Sequence, residues 1–163
     1  MIDLELVTME IPENSNIIVG QSHFIKTVED MYEVMMTSVP GIRFGLAFNE
    51  ASGPCLIRRA GNDAALVECA GKNAQAIGAG HAFVLLMQNA YPINVLNALK
   101  NTQEVCTIFA ATANPLQLVV AKSDQGKGIV GVIDGSSPKG METDADVHRR
   151  KEFLRNVTGY KYL

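Results

Sequence analysis

The segment Gly78-Ala79-Gly80-His81, followed by Phe83-Val84-Leu85-Leu86-Met87, constrains this chain more than any other stretch. Five consecutive large apolar residues read as a buried strand. The glycines before it form a turn, where backbone lacking Cβ atoms lets main-chain N–H groups come close to an anion. A histidine at the mouth of such a strand is well placed for phosphate chemistry. Imidazole is largely neutral at pH 7 and nucleophilic in that form. The same position equally suits a hydrogen-bonded histidine with no reaction to perform, and spacing alone does not choose between the two.

The rest of the chain supplies a fold around that strand. Ile2, Leu4 and Leu6 alternate with Asp3 and Glu5, which predicts a strand within residues 2–11. Ile17-Ile18-Val19 is a second strand. Val28, Met31, Tyr32, Met35, Met36 and Val39 share one face of a helix, with Thr27 and Asp30 as a capping box and Pro40-Gly41 as its stop. Strands over Ile42–Phe48 and Leu56–Arg59 come next. Asn62 is positioned to cap a second helix that ends at Gly78. Pro92 opens a short third helix. Cys106–Phe109, Leu116–Val120 and Ile129–Ile133 read as strands, and Thr143 with Asp146 opens a last helix carrying Val147, Phe153 and Leu154. The order ββα, ββα, βα, βββα does not alternate strictly. It predicts an α+β fold with one mixed, mostly antiparallel sheet and about four helices. At 163 residues the whole chain, 1–163, is expected to be a single domain.

Charge and cysteine usage exclude several function classes. A net charge of −3 provides no basic field for nucleic acid. Cys55, Cys69 and Cys106 are far apart and form no Cys-x-x-Cys pair, so structural zinc is not expected. Free thiols and an acidic, alternating N-terminus favour a reducing cytoplasm. No apolar run approaches the roughly 18 residues a membrane helix needs.

Gly126-Lys127-Gly128-Ile129-Val130-Gly131 matches the glycine spacing of a dinucleotide site, but its apolar residues continue as a strand instead of opening a helix. It reads as a hairpin turn, and neither NAD nor flavin is expected. A phosphate-binding P-loop and the protein-kinase signatures are absent. Glu50 and Asp134 each end an apolar strand beside a glycine-containing turn, where a carboxylate can hold Mg²⁺ against phosphate or accept a proton, or simply cap the turn. Asn94 and Asn97 recur on the short third helix, and Asn114 precedes Pro115. Such amides both donate and accept, as recognition of a base or ribose requires, although a solvated helix face explains them too. Lys139 suits a phosphate contact or a wet loop. His23 is a second candidate histidine. His148 sits in a charged stretch read as the wet face of the last helix.

Six segments in order resemble one family. They are Gly20–Asp30, Phe44–Pro54, Gly78–His81, Pro92–Ala98, Ala111–Pro115 and Asp134–Gly140. The chain is similar to the adenosine-specific kinase family along nearly its whole length. The resemblance implies a compact α+β subunit in a homo-oligomer built on trimers, binding adenosine or an adenine nucleotide (ATP, ADP or AMP, with Mg²⁺ as companion). It also implies a histidine that carries phosphate stably. That residue maps to His81, with His23 as the fallback, and with Glu50 and Asp134 as catalytic carboxylates. Gly78, Gly80, Ser52, Asn94, Asn97, Asn114 and Lys139 would hold the nucleotide, while metal-ligating residues stay unassigned. The expected function is phosphotransfer through a phosphohistidine. The alternative is a nucleotide-binding or regulatory module without turnover.

Overall fold

The computed structural model describes residues 1–159. It contains β1 (Asp3–Thr8), β2 (Asn16–Ser22), α1 (Thr27–Ser38), β3 (Arg43–Asn49), β4 (Ile57–Gly61) and α2 (Ala64–Ile77). β5 (Ala82–Gln88), α3 (Pro92–Lys100), β6 (Val105–Thr112), β7 (Leu116–Lys122), β8 (Lys127–Asp134) and α4 (Asp144–Asn156) complete it. The class is α+β, as the element order predicts. The strands divide into two sheets, however, instead of forming one. A five-stranded sheet has the order β4-β3-β5-β2-β6, and a three-stranded sheet has the order β1-β7-β8. Every strand pair is antiparallel; a single parallel bridge joins Ala79 to Lys127.

β5 is the central strand of the larger sheet, and both of its faces are covered. Ala82, Val84 and Leu86 point into a cluster with Leu66, Ala70, Ala74 and Ile77 of α2 and Leu116, Leu118 and Val120 of the smaller sheet. Phe83, Leu85 and Met87 point the other way, into Val28, Met31 and Met35 of α1 and Val95 and Leu99 of α3. Side chains alternate across a strand, so only an unbroken apolar run satisfies two cores at once.

Local signals held at several element ends. Gly78 caps α2 in the left-handed conformation, with φ +61°, and its N–H donates to Ala74 O at 3.0 Å. Pro92 is the first residue of α3, and Thr143 and Asp146 form the capping box of α4. Residues 123–126 turn from β7 into β8, so the glycine motif starts at a hairpin turn and continues along β8 instead of opening a helix.

Three local expectations fail. Asp63, not Asn62, caps α2, accepting from Leu66 N at 3.0 Å. The Asn62 side chain instead accepts from Phe44 N and donates to Ile42 O, clipping the entry of β3. α1 has no side-chain cap: Thr27 Oγ1 donates to Phe24 O at 2.6 Å, and Asp30 pairs with Lys26. Finally, α4 buries none of its residues, and Phe153 stays 54% exposed. Among the described residues no helix is long and apolar enough to cross a membrane.

Candidate functional site

Three strand ends converge on His81. β2 and β3 both run antiparallel to β5 and flank it, so their last residues lie beside its first. Ser22 N donates to His81 O at 3.0 Å, and His81 N donates to Asn49 O at 2.7 Å. These bonds hold His81 at φ +60°, a left-handed conformation that costs a residue with a Cβ about 1–2 kcal/mol. Strained backbone of this kind concentrates at functional sites, where the surrounding structure imposes it. The imidazole stacks on the Phe48 ring, with centroids 5.6 Å apart and planes 16° apart. Its side chain remains 29% exposed.

Glu50 Oε1 lies 3.4 Å from His81 Nε2. The same oxygen accepts from Ser52 Oγ at 2.9 Å, Ala51 N at 3.0 Å and Ser52 N at 3.2 Å. The Ser52 hydroxyl, followed by these amides and the imidazole, holds the Glu50 carboxyl below the usual carboxylate range, against the opposing effect of burial. Glu50 is therefore an anion at neutral pH. A carboxylate only accepts, so the proton between the two groups belongs on Nε2, and Nδ1 keeps its lone pair. Arg58 Nε stands 3.8 Å from the other oxygen, Oε2.

Gly80 makes this approach sterically feasible. A Cβ on Gly80 would lie 2.9 Å from the Ala51 Cβ. Asn49 ties the same region to the end of α2: its Nδ2 donates to Ala74 O at 2.9 Å and Ala79 O at 3.0 Å. Asn49 is only 7% exposed, and its Oδ1 is buried without a donor. A buried acceptor left in that state costs about 1–3 kcal/mol until a donor arrives.

A cavity of about 470 Å³ opens beside this constellation. Asn49, Glu50, Gly80, Gln75, Ile57 and Lys127 are among its walls. Lys127 Nζ also donates to Glu5 at 2.6 Å, a contact that lowers the carboxyl of Glu5. A second cavity, about 410 Å³, lies on the far side of Glu50 between Ile25, Ser52, Leu56 and Arg58.

The sequence-derived site residues divide into two groups. His81, Glu50, Ser52, Gly78 and Gly80 meet at one end of the larger sheet. Asn94, Asn97, Asn114 and Asp134 lie at the other end. Thr112 and Asn114 both donate to Asp134 Oδ1, at 2.8 and 3.1 Å, where β6 finishes beside Ile17. From Ile17 to Ser22 is five strand steps, roughly 17 Å at about 3.3 Å each. Asn94 is already engaged, its Oδ1 accepting from Tyr91 N at the start of α3. Lys139 sits in the exposed loop between β8 and α4. A cavity of about 580 Å³ is also at this second end, beside Asn16, Tyr91 and Asn114. No histidine is among its lining residues. His23 follows β2 directly, but its ring neighbours Phe24 at 6.2 Å and it has no carboxylate contact.

Sequence reasoning missed Phe48, Asn49, Arg58, Gln75 and Lys127. Asn49 lies within a segment already singled out, and Lys127 within the glycine motif; strand pairing brings Asn49 to His81, and a bridge to Ala79 brings Lys127 to the neighbouring cavity. Among the described residues no cluster of three or more His, Cys, Asp or Glu side chains is arranged to hold a metal.

Comparison with known proteins agrees with this architecture. No curated protein matches the chain. The crystal structure of the PH1918 protein from Pyrococcus horikoshii OT3 is similar over 100% of both chains, at 46% identity and a TM-score of 0.95. The family model described as adenosine specific kinase matches residues 7–161. With the motif order, the antiparallel α+β fold and this match over nearly its full length, the chain belongs to the adenosine-specific kinase family.

Proposed function

We propose that this protein transfers a phosphoryl group from ATP to adenosine through a covalent phosphohistidine at His81. Family membership supports a nucleoside-kinase type of function. The observation that carries the histidine mechanism is the strained His81 turn, with Nε2 facing an ionised Glu50 at 3.4 Å.

Each half of the reaction is a displacement at phosphorus. The Nδ1 lone pair attacks the terminal phosphorus of ATP; an N–P bond forms, the P–O bond breaks, and ADP leaves with that electron pair. The ring becomes cationic, and Glu50 stabilises it across the Nε2–H contact. The 5′-hydroxyl of adenosine then attacks the same phosphorus. The N–P bond breaks, its electrons return to Nδ1, and the hydroxyl proton goes to solvent. Arg58 is the cation nearest this carboxylate and is suited to meet developing charge on the phosphoryl oxygens. Mg²⁺ would arrive on the nucleotide phosphates, with Glu50 Oε2 as the carboxylate oxygen available to it beside His81. The mechanism needs no contribution from Asp134, Asn94, Asn97, Asn114 or Lys139 of the same subunit.

One observation favours the second reading, a nucleotide-binding module with little turnover. The N–H groups of Gly78 and His81 are spent on Ala74 O and Asn49 O, so these amides do not neutralise a phosphoryl group. Intact-mass measurement after incubation with ATP tests the histidine. One acid-labile phosphate is expected on the native protein and none on His81→Gly; label retained by His81→Gly refutes the assignment. Formation of AMP from adenosine and ATP over many turnovers separates the kinase from the module.

A homo-oligomer, with a trimer as the expected unit, is part of the same proposal. The outer face of the three-stranded sheet exposes Leu4, Leu6 and Ile133, and β-register places Leu4 beside Ala121 and Leu6 beside Val119. An apolar sheet face of that kind marks an interaction surface. Light scattering of the purified protein gives the subunit number.

A further inference from the structure

We infer that α4 of one copy lies across the outer face of the three-stranded sheet of the next copy, so that each copy gives a helix to one neighbour and receives a helix from another. The inference rests on the homo-oligomer of the proposed function. It names the two surfaces that meet and makes the contact head-to-tail.

α4 lacks a packing partner in its own subunit. None of its 13 residues is buried. Val147 and Leu154 are half-buried, while Phe153 and the following Val157 are 54% and 69% exposed. At 3.6 residues per turn these four side chains share one side of the helix. An isolated helix of this length is marginal in water, and packing of its apolar side normally supplies the remaining stability. The capping box and the pairs Arg149–Asp146 and Arg150–Glu142 tie down only the first turns.

The outer sheet face complements this helix. Register sets Leu4, Ala121 and Gly128 in one row and Leu6, Val119 and Gly131 in the next. A Cβ on Gly128 or Gly131 would meet nothing within 4 Å, and neither glycine has a positive φ. Their backbone conformation therefore does not require glycine. Glycine inside a strand commonly marks close approach of another backbone, and no atom of the same subunit makes that approach here. The sizes agree. Three strands about 4.8 Å apart carry a face roughly 14 Å wide and, over the six residues of β1, about 20 Å long; α4 is about 20 Å long and about 10 Å across. The charges agree too. Asp3 and Asp124 stand at the β7–β8 turn end of the face, and Lys151 and Arg155 flank the apolar side of α4. None of these four has an ion pair among the described residues. A helix meeting a sheet is a heterologous contact, which closes into a ring when its rotation allows.

Light scattering of full-length variants tests the contact. Gly131→Leu puts a side chain into open space on the sheet, and Phe153→Asp changes an exposed helix position, so both should fold with the circular dichroism of the native protein. Leu6→Asp replaces the first variant if it does not fold. Each variant alone is expected to weaken assembly roughly tenfold or more. Gly131→Leu keeps a native helix and Phe153→Asp keeps a native sheet. Their equimolar mixture therefore regains one interface per pair and is expected to give heterodimers and nothing larger. Trypsin cleavage at Lys151 and Arg155, followed by mass spectrometry, supplies a second readout. In Gly131→Leu, whose own α4 is unaltered, cleavage is expected to speed up several-fold because the helix has lost its neighbour's sheet. A monomeric native protein overturns the homo-oligomer reading and this inference with it. Native assembly retained by Phe153→Asp, or unchanged cleavage in Gly131→Leu, overturns the helix–sheet contact and leaves the homo-oligomer standing. A mixture that stays monomeric or returns to native size overturns the head-to-tail arrangement.

Discussion

Replacing His81 by alanine and by glycine separates the strain at this residue from its chemistry. Alanine keeps a Cβ at φ +60° and removes the ring that stacks on Phe48. An aromatic pair contributes about 0.5–1.5 kcal/mol beyond simple burial, so His81→Ala should destabilise the fold by about 1 kcal/mol. Glycine loses the same ring but adopts the left-handed conformation without penalty. Relief of about 1–2 kcal/mol of backbone strain is partly offset by the larger conformational entropy of glycine in the unfolded chain, about 0.5–1 kcal/mol. His81→Gly should thus lie close to native stability, and roughly 1 kcal/mol above His81→Ala. For a domain of this size that difference is about 2–4 °C in Tm. Thermal unfolding followed by circular dichroism, at one protein concentration for all three proteins, measures it. Equal stability of the two variants, or greater stability for alanine, would refute the claim that the fold forces His81 into the left-handed region. Both variants should lose histidine-bound phosphate entirely, so His81→Gly is the better inactive control.

Glu50→Gln should reduce phosphate uptake from ATP about 10²-fold, because the carboxylate that stabilises the cationic ring across the Nε2–H contact is lost; intact mass after incubation with ATP measures it. The Glu50 carboxyl is held below its ordinary value in the folded protein, so its stabilising contribution is present above the unfolded value. That contribution is lost as pH falls through the folded one. Acid unfolding should accordingly be less steep for Glu50→Gln below about pH 4.5, measured by fluorescence or circular dichroism against pH. Gly80→Ala drives a Cβ to 2.9 Å from Ala51, which should destabilise by about 1–3 kcal/mol and shift the loop that carries Glu50; urea unfolding and phosphate uptake should fall together. Asp63→Ala removes the α2 cap and should lower stability by about 1 kcal/mol in the same urea assay, without changing phosphate uptake.

Much of the fold was legible because its signals are local. The unbroken Phe83–Met87 run, the left-handed stop at Gly78, the proline opening α3 and the box at Thr143 each act within a few residues. Where a local signal was ambiguous it failed by a small margin. Asn62 and Asp63 are both capping residues, and the choice between them depends on β3, whose backbone claims the Asn62 side chain. The capping box expected at Thr27 dissolves for a similar reason, since the carbonyl of Phe24 takes the hydroxyl. The site is half legible: the structure brings His81, Glu50 and Ser52 together, whereas Asp134 and the asparagines stand at the opposite end of the sheet.

The sequence by itself determined the number, order and type of the elements, the burial of the central strand and the presence of a glycine turn before His81. These follow from side-chain periodicity and from the conformational preferences of glycine and proline. Only the tertiary structure decided which polar residues share a site. Antiparallel pairing on both sides of β5 brings Ser22 and Asn49 to His81, and the turn after β3 adds a carboxylate from 31 residues away. The packing of the smaller sheet then carries Lys127 to the same cavity. Proximity of this kind depends on register and layer packing, long-range properties that no short window of residues contains.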